Sequence, residues 1–187
     1  MQLFEDNAHL YTWMIEKAKG GDRRAQKAIY DALAGKMFAI CLRYMGDRET
    51  AEDVLQDGFV TLFAKLSTYT GEGSFEGWAR KIFVNTALMS LRKNDVLKES
   101  EDVDAARSLS EDSPSALQNI GYKELCRMIS ELPAGFRTVF NMYVVEGYSH
   151  QEIAEALGIS ESTSRSQLLR ARSILQAKIT EREKRKK

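Results

Sequence analysis

Proline is nearly missing from this chain: among 187 residues only Pro114 and Pro133 occur, so long helices meet almost no breakers. Alternating β-branched strand patterns are lacking too. Runs rich in Ala, Leu, Glu, Lys, Gln and Arg fill the sequence instead, and they predict an all-α fold. Cysteine is as scarce. Cys41 and Cys126 stand alone, each inside an apolar helical pattern, and neither CxxC nor HxxxH occurs. That excludes a disulfide framework or a zinc site and predicts two buried free thiols with no metal. No stretch approaches the roughly 20 apolar residues that span a bilayer. The start, Met1 to Asp6, lacks the basic residues and apolar run of a secretory signal, so the expected compartment is the cytoplasm. His9 and His150 lie far apart, and neither a nucleophile motif nor a GxxxxGK loop is present. The chain is therefore not expected to be an enzyme, and no cofactor or small-molecule substrate is expected. Net charge is missing as well: 27 Lys and Arg balance 27 Asp and Glu, whereas a self-sufficient DNA binder carries a basic surplus. A neutral chain that binds DNA needs a partner to hold it there.

What is present is charge in patches. Asp95 to Asp112 holds Asp95, Glu99, Glu101, Asp102, Asp104, Glu111 and Asp112 against Lys98 and Arg107, without aromatics or helical period. Self-repelling chain of this kind reads as an extended tether. The architecture expected is thus two small helical domains joined by an acidic flexible linker: one body over 1–94, the linker over 95–114, a second body over 115–187. Helical patterns cover Leu10–Gly20, Asp22–Tyr44, Arg48–Ser67 and Ser74–Arg92 in the first body, with Asp47 placed as a cap before the third. In the second body they cover Leu117–Glu131 and Ala134–Glu146, with Pro133 in the first turn of the latter. The basic tail, Lys178 to Lys187, reads as a frayed, solvated helix end.

The second body ends in a helix-turn-helix. Ser149 and Glu152 make a capping box; Ile153, Ala154 and Leu157 give the inward face, Gly158 the turn, and Ser160 the next cap. In the second helix Ser164, Leu168, Ala171 and Leu175 form one stripe that must face the body. The opposite face presents Ser162, Arg165, Ser166, Leu169 and Arg170. Small hydroxyls permit close approach, and arginines fork onto guanine or phosphate. A solvated charged face is the plain alternative, but this helix has no acid between Glu161 and Glu181, which points to an anionic partner.

In the first body Glu52, Asp53, Gln56 and Asp57 share one face of the third helix, opposite Leu55, Phe59, Leu62, Phe63 and Leu66. Such a face suits a basic protein surface or simply solvent. The next helix carries Ser74, Phe75, Trp78, Lys81, Ile82 and Asn85 beside the glycine-rich Tyr69–Ser74 loop. Aromatics, a mouldable loop and an amide suit single-stranded bases; burial of Phe75, Trp78, Ile82 and Leu88 is the competing reading, and for Trp78 the stronger one.

These segments together resemble the extracytoplasmic-function (ECF) sigma factors, over nearly the whole chain. The resemblance rests on Ala51-Glu52-Asp53-Val54-Leu55-Gln56-Asp57-Gly58-Phe59, Gly71 to Asn85, the acidic linker, Leu132-Pro133, Tyr148 to Gly158, and Ser166 to Arg172. It implies a sigma factor that binds core RNA polymerase and promoter DNA. The 1–94 body would be sigma domain two and the 115–187 body sigma domain four. Glu52, Asp53, Gln56 and Asp57 would grip the β′ clamp helices. Tyr69, Gly71, Glu72, Ser74, Lys81 and Asn85 would capture a flipped base of the −10 element and nucleate melting. Ser162, Arg165, Ser166, Leu169 and Arg170 would read the −35 element, with the second domain seated on the β-flap. The linker would thread towards the RNA exit path. It also implies an anti-sigma factor, often anchored in the membrane. Ser164 stands where an apolar residue is usual, Gln167 where a basic one is common, and Thr70 where arginine often lies.

Overall fold

The computed structural model describes residues 12–93 and 121–185, the latter without the side chains of Tyr122 and Lys123. The linker, the first eleven residues, the 117–120 start of one expected helix, and Lys186 and Lys187 lie outside the described residues. Among those described there is no strand, and no helix is long and apolar enough to cross a membrane. They divide into two compact units, the first comprising residues up to Leu42 with Arg48–Ser90, the second Arg43–Asp47 with the chain from Leu91.

The first unit is built from α1 (12–19), α2 (Arg23–Met45) as far as Leu42, α3 (Arg48–Lys65), a short 3-10 turn (Leu66–Thr68) and α4 (Phe75–Lys93) as far as Ser90. Asp22 starts α2 as a cap, its Oδ1 accepting from the Arg24 and Ala25 amides at 2.8 and 3.1 Å. These amide bonds hold its carboxyl below the ordinary aspartate pKa. The core brings together Ile29, Leu33 and Met37 of α2, Ala51, Val54, Phe59 and Leu62 of α3, and Phe75, Ile82, Phe83 and Leu88 of α4. The buried stripe of α3 therefore runs through Ala51, Val54, Gly58, Phe59 and Leu62, while Leu55 and Phe63 are only half-buried. It is rotated by part of a turn from the expected stripe, because Gly58 lets α4 approach on a side that apolar spacing alone does not mark. Phe83 fills the space beside Gly58. Burial pushes the Cys41 thiol up to about 12. Cys126, also free, is half-buried rather than buried as expected.

The second unit contains α5 (Tyr122–Ser130), α6 (Ala134–Phe140), a π-helical turn (Asn141–Val145), α7 (His150–Leu157) and α8 (Glu161–Arg185). Its core joins Met128, Ile129, Leu132 and Phe136 to Ala171, Leu175 and Ile179, with Leu125, Phe140 and Ile174 packed alongside. Two expectations need correction here. The helix expected to run unbroken to Glu146 widens after Phe140: the Glu146 amide bonds the Asn141 carbonyl at 3.0 Å, five residues back, before Gly147 ends it at φ +80°. Pro133 is the cap residue just outside α6, not part of its first turn; having no N–H it begins the helix without losing a bond.

The tail is not frayed as far as Arg185. Lys178 bridges Glu131 and Arg182 bridges Glu124, each at 2.5 Å, so the basic end of α8 is tied along α5. Lys178 holds the Glu131 carboxyl below its ordinary pKa. Glu181 and Glu183 lie beside these bases in the sequence, yet the partners of Lys178 and Arg182 come from about fifty residues upstream.

Candidate nucleic-acid interface

The helix-turn-helix has the geometry its sequence predicts. Ser149 Oγ accepts from the Glu152 amide at 3.2 Å, and the Ser149 amide donates to Glu152 Oε2 at 2.7 Å, closing the capping box. The Ser149 amide and then its hydroxyl, both donating to Glu152 Oε2, hold the Glu152 carboxyl below the usual glutamate range. Gly158 ends α7 at φ +69°, its amide bonding the Ala154 carbonyl at 2.9 Å. Ser160 Oγ then accepts from the Thr163 amide at 3.0 Å and opens α8.

On α8 the inward stripe is Ser164, Leu168, Ala171 and Leu175, all buried, with Gln167 and Ile179. Ser162, Arg165, Ser166 and Leu169 are exposed, and Leu169 stands out with 70% of its surface open although the other leucines of this helix are buried. Arg170 differs from its neighbours. It is half-buried, its guanidinium 6.0 Å above the Phe136 ring, so part of its role is packing. Arg165 is held by Glu161 at 2.7 Å, an exposed pair that a phosphate or base edge can replace at little cost. Ser166 Oγ donates to the Thr163 carbonyl.

In the first unit Asp53, Gln56 and Asp57 are exposed along α3, while Glu52 is half-buried and paired with Arg48 at 2.7 Å. The spacing of Asp53, Gln56, Asp57 and Val60 puts all four on one face. Val60 is 71% exposed, and sequence reasoning missed it because a valine beside Phe59 reads as core.

The Tyr69–Ser74 loop is shaped by Gly71 and Gly73, at φ +87° and +74°, values that favour glycine. Tyr69 is half-buried: its ring meets Phe75 and Trp78 at 5.2 and 5.3 Å, and its hydroxyl donates to the Gly73 carbonyl at 2.8 Å. Trp78 is half-buried in this cluster rather than fully buried as favoured. Ser74 Oγ accepts from the Gly77 amide at 3.3 Å and so caps α4. Glu72, Lys81 and Asn85 are exposed. Asn85 lies about three helical turns, about 16 Å, along α4 from Ser74 and on the same face. Among the described residues no group of acids, histidines and cysteines is placed to hold a metal ion.

Two family models match this chain: Sigma-70 region 2 over residues 29–96 and Sigma-70, region 4 over residues 122–175. The ECF RNA polymerase sigma-E factor of Haemophilus influenzae is 27% identical over 177 residues, covering 89% of this chain and 93% of the relative. The RNA polymerase sigma-H factor of Pseudomonas aeruginosa is 26% identical over 173 residues, covering 87% and 90%. The chain belongs to the ECF sigma factors.

Among solved structures, the sigma factor RpoE in complex with the anti-sigma factor NepR from Bartonella quintana has a TM-score of 0.49 and 21% identity, covering 83% of this chain and 96% of that one. CnrH in complex with the cytosolic domain of CnrY has a TM-score of 0.47 and 22% identity, covering 91% and 97%. The two matched regions of this sigma factor enclose the structural features above: α3, the glycine loop and α4 fall in region 2, the helix-turn-helix in region 4. As a sigma factor the chain directs promoter-specific transcription.

Proposed function

We propose that this sigma factor carries no chemistry of its own and works as a two-point promoter grip mounted on core RNA polymerase. The 1–94 body serves as domain two, 95–114 as the tether and 115–187 as domain four. The α3 face of Glu52, Asp53, Gln56 and Asp57 docks on the β′ clamp helices. The α8 face of Ser162, Arg165, Ser166, Leu169 and Arg170 enters the major groove of the −35 element, with domain four seated on the β-flap. Tyr69, Gly71, Glu72 and Ser74 at the loop, with Lys81 and Asn85 further along α4, capture one or more extruded −10 bases, each costing on the order of a few kcal/mol to unstack, and so nucleate melting. An anti-sigma factor, as the family resemblance implies, holds the chain inactive.

The observation that carries this reading is the outer face of α8: small hydroxyls, three arginines (Arg165 and Arg172 exposed, Arg170 half-buried) and one open leucine, with no acid from Ser162 to Thr180. Zero net charge fits it, since the polymerase supplies most of the electrostatic grip. The rival, an autonomous helix-turn-helix regulator, leaves the α3 and α4 faces without a task. Gel shifts on a promoter fragment separate the two. The two-point grip predicts a specific shift with holoenzyme and none with the chain alone at physiological salt; tight specific binding by the chain alone would overturn it.

A further inference from the structure

The two helices of the helix-turn-helix meet through a polar contact at the position where an apolar one is usual. Ser164 has no exposed surface, and its Oγ lies 2.9 Å from Nδ1 of His150, in the first turn of α7. A hydroxyl sealed from water depends on its protein partners, so this bond is costly to lose. The His150 ring is also stacked on Tyr143 of the π-turn, centroids 4.5 Å apart and planes 23° from parallel, and the Arg172 guanidinium lies 6.0 Å over that tyrosine ring. The π-turn, the start of α7 and the first turn of α8 therefore converge on one imidazole. From α8 it also feels Arg165, Arg172 and Glu161; burial first, then the two arginines, hold its pKa below the ordinary histidine value, so the ring is neutral at pH 7.

An apolar side chain at position 164 would bear on α7 without fixing direction, because such contact is tolerant of small rotations. A hydrogen bond weakens steeply with angle and distance. Ser162, Arg165 and Ser166 all lie within one turn of Ser164, so what fixes Ser164 fixes the direction in which those side chains leave the helix.

We propose that His150 is a positioning residue for promoter recognition: hydrogen-bonded to Ser164 and stacked on Tyr143, it sets the rotation at which α8 presents Ser162, Arg165 and Ser166 to DNA. The inference rests on the reading of α8 as the upstream-element reader. The Tyr143–His150 stack places the ring, and the Ser164 bond transmits that placement to the recognition helix.

The test uses holoenzyme assembled from the full chain and core RNA polymerase, with an upstream element selected from a randomised promoter library. The quantity read is the ratio of affinities for the selected and scrambled elements, measured well below each variant's melting midpoint. His150→Phe keeps the stack and loses the bond; it should lower the ratio about tenfold. His150→Asn keeps a hydrogen-bonding group near the Nδ1 position but loses the stack, so its ratio should fall by about threefold, between wild type and His150→Phe. Ser164→Val alone should lose discrimination, and His150→Phe with Ser164→Val should stay as low, since an apolar pair strands no hydroxyl yet fixes no direction; a double variant that discriminates as well as wild type overturns the role. A His150→Phe ratio equal to wild type, or a His150→Asn loss as large as that of His150→Phe, overturns the positioning role. Should His150→Phe fail to fold, the asparagine and double variants still decide. If wild-type holoenzyme itself does not discriminate the two elements, the reading of α8 falls and this role with it; if it discriminates and His150→Phe does so equally, only the role of His150 falls.

Discussion

Gly58 and Phe83 occupy one space: a Cβ added to Gly58 would stand 2.3 Å from Phe83 Cε1. Phe83 is fully buried and meets Phe59 edge-on, centroids 5.0 Å apart and planes at 77°. The ring cannot swing away without opening the α3–α4 contact, so Gly58→Ala should destabilise the first unit by about 1–3 kcal/mol. Thermal unfolding reads this directly, and a neutral alanine variant would mean that the ring has room to move.

The exposed face of α3 carries the next expectation. Asp53→Ala and Gln56→Ala should lower affinity for core RNA polymerase while leaving the melting temperature nearly unchanged, because both side chains are open to solvent. Val60→Asp should do the same, since an open valine on that face offers apolar contact to a partner. Competition against a second sigma factor for limiting core enzyme gives the readout; unchanged competition by all three variants would remove this face from the docking site.

On α8, Arg165→Ala and Arg170→Ala should each weaken binding to the upstream element by about 1–3 kcal/mol. The two should separate in a second measurement. Arg170 lies over Phe136 and its loss should also lower stability, whereas Arg165 pairs only at the surface with Glu161 and its loss should not. Full affinity for the upstream element in both variants would reject this face as the reader.

The helix-turn-helix is legible in the amino-acid sequence almost in full. The capping box, Gly158 and the stripe of Ser164, Leu168, Ala171 and Leu175 follow from local spacing and capping chemistry, and the structure reproduces them. Gly58 is not legible as a packing residue because its reason sits on another helix, at Phe83. The same holds for the tail, where Arg182 finds an acid on α5 and Lys178 one just after it. The π-turn after Phe140 is invisible to propensity, which runs on smoothly to Glu146; only the bond from Glu146 to Asn141 reveals the extra residue. His150 reads in sequence as a plain member of the capping box, and its contact with Ser164 depends on how α7 and α8 cross.

The capping box carries a pH dependence. Glu152 has its pKa depressed by the Ser149 amide and hydroxyl, so its contribution to stability is complete above the unfolded glutamate value near 4.5 and is lost as pH falls through the lower folded value. Ser149→Ala should cost about 1 kcal/mol at neutral pH. The difference in melting temperature between the variant and wild type should shrink in acid below that range. A constant difference down to the acid limit would show that the Glu152 carboxylate is not part of the cap.

Base capture on α4 separates melting from docking. Asn85→Ala should reduce permanganate reactivity of unpaired thymines at the promoter while leaving core-enzyme affinity unchanged. Reactivity equal to wild type would take Asn85 out of the pocket.

The central claim, that the α3, α4 and α8 faces act together as a promoter grip carried by polymerase, is tested most directly by run-off transcription. Core RNA polymerase, with and without the chain, is offered a library of genomic fragments and the transcripts are sequenced. The two-point grip predicts start sites that appear only with the chain and share one upstream and one downstream element, and Arg165→Ala should deplete them. Transcripts that are the same with and without the chain, or that lack a shared element, would contradict it.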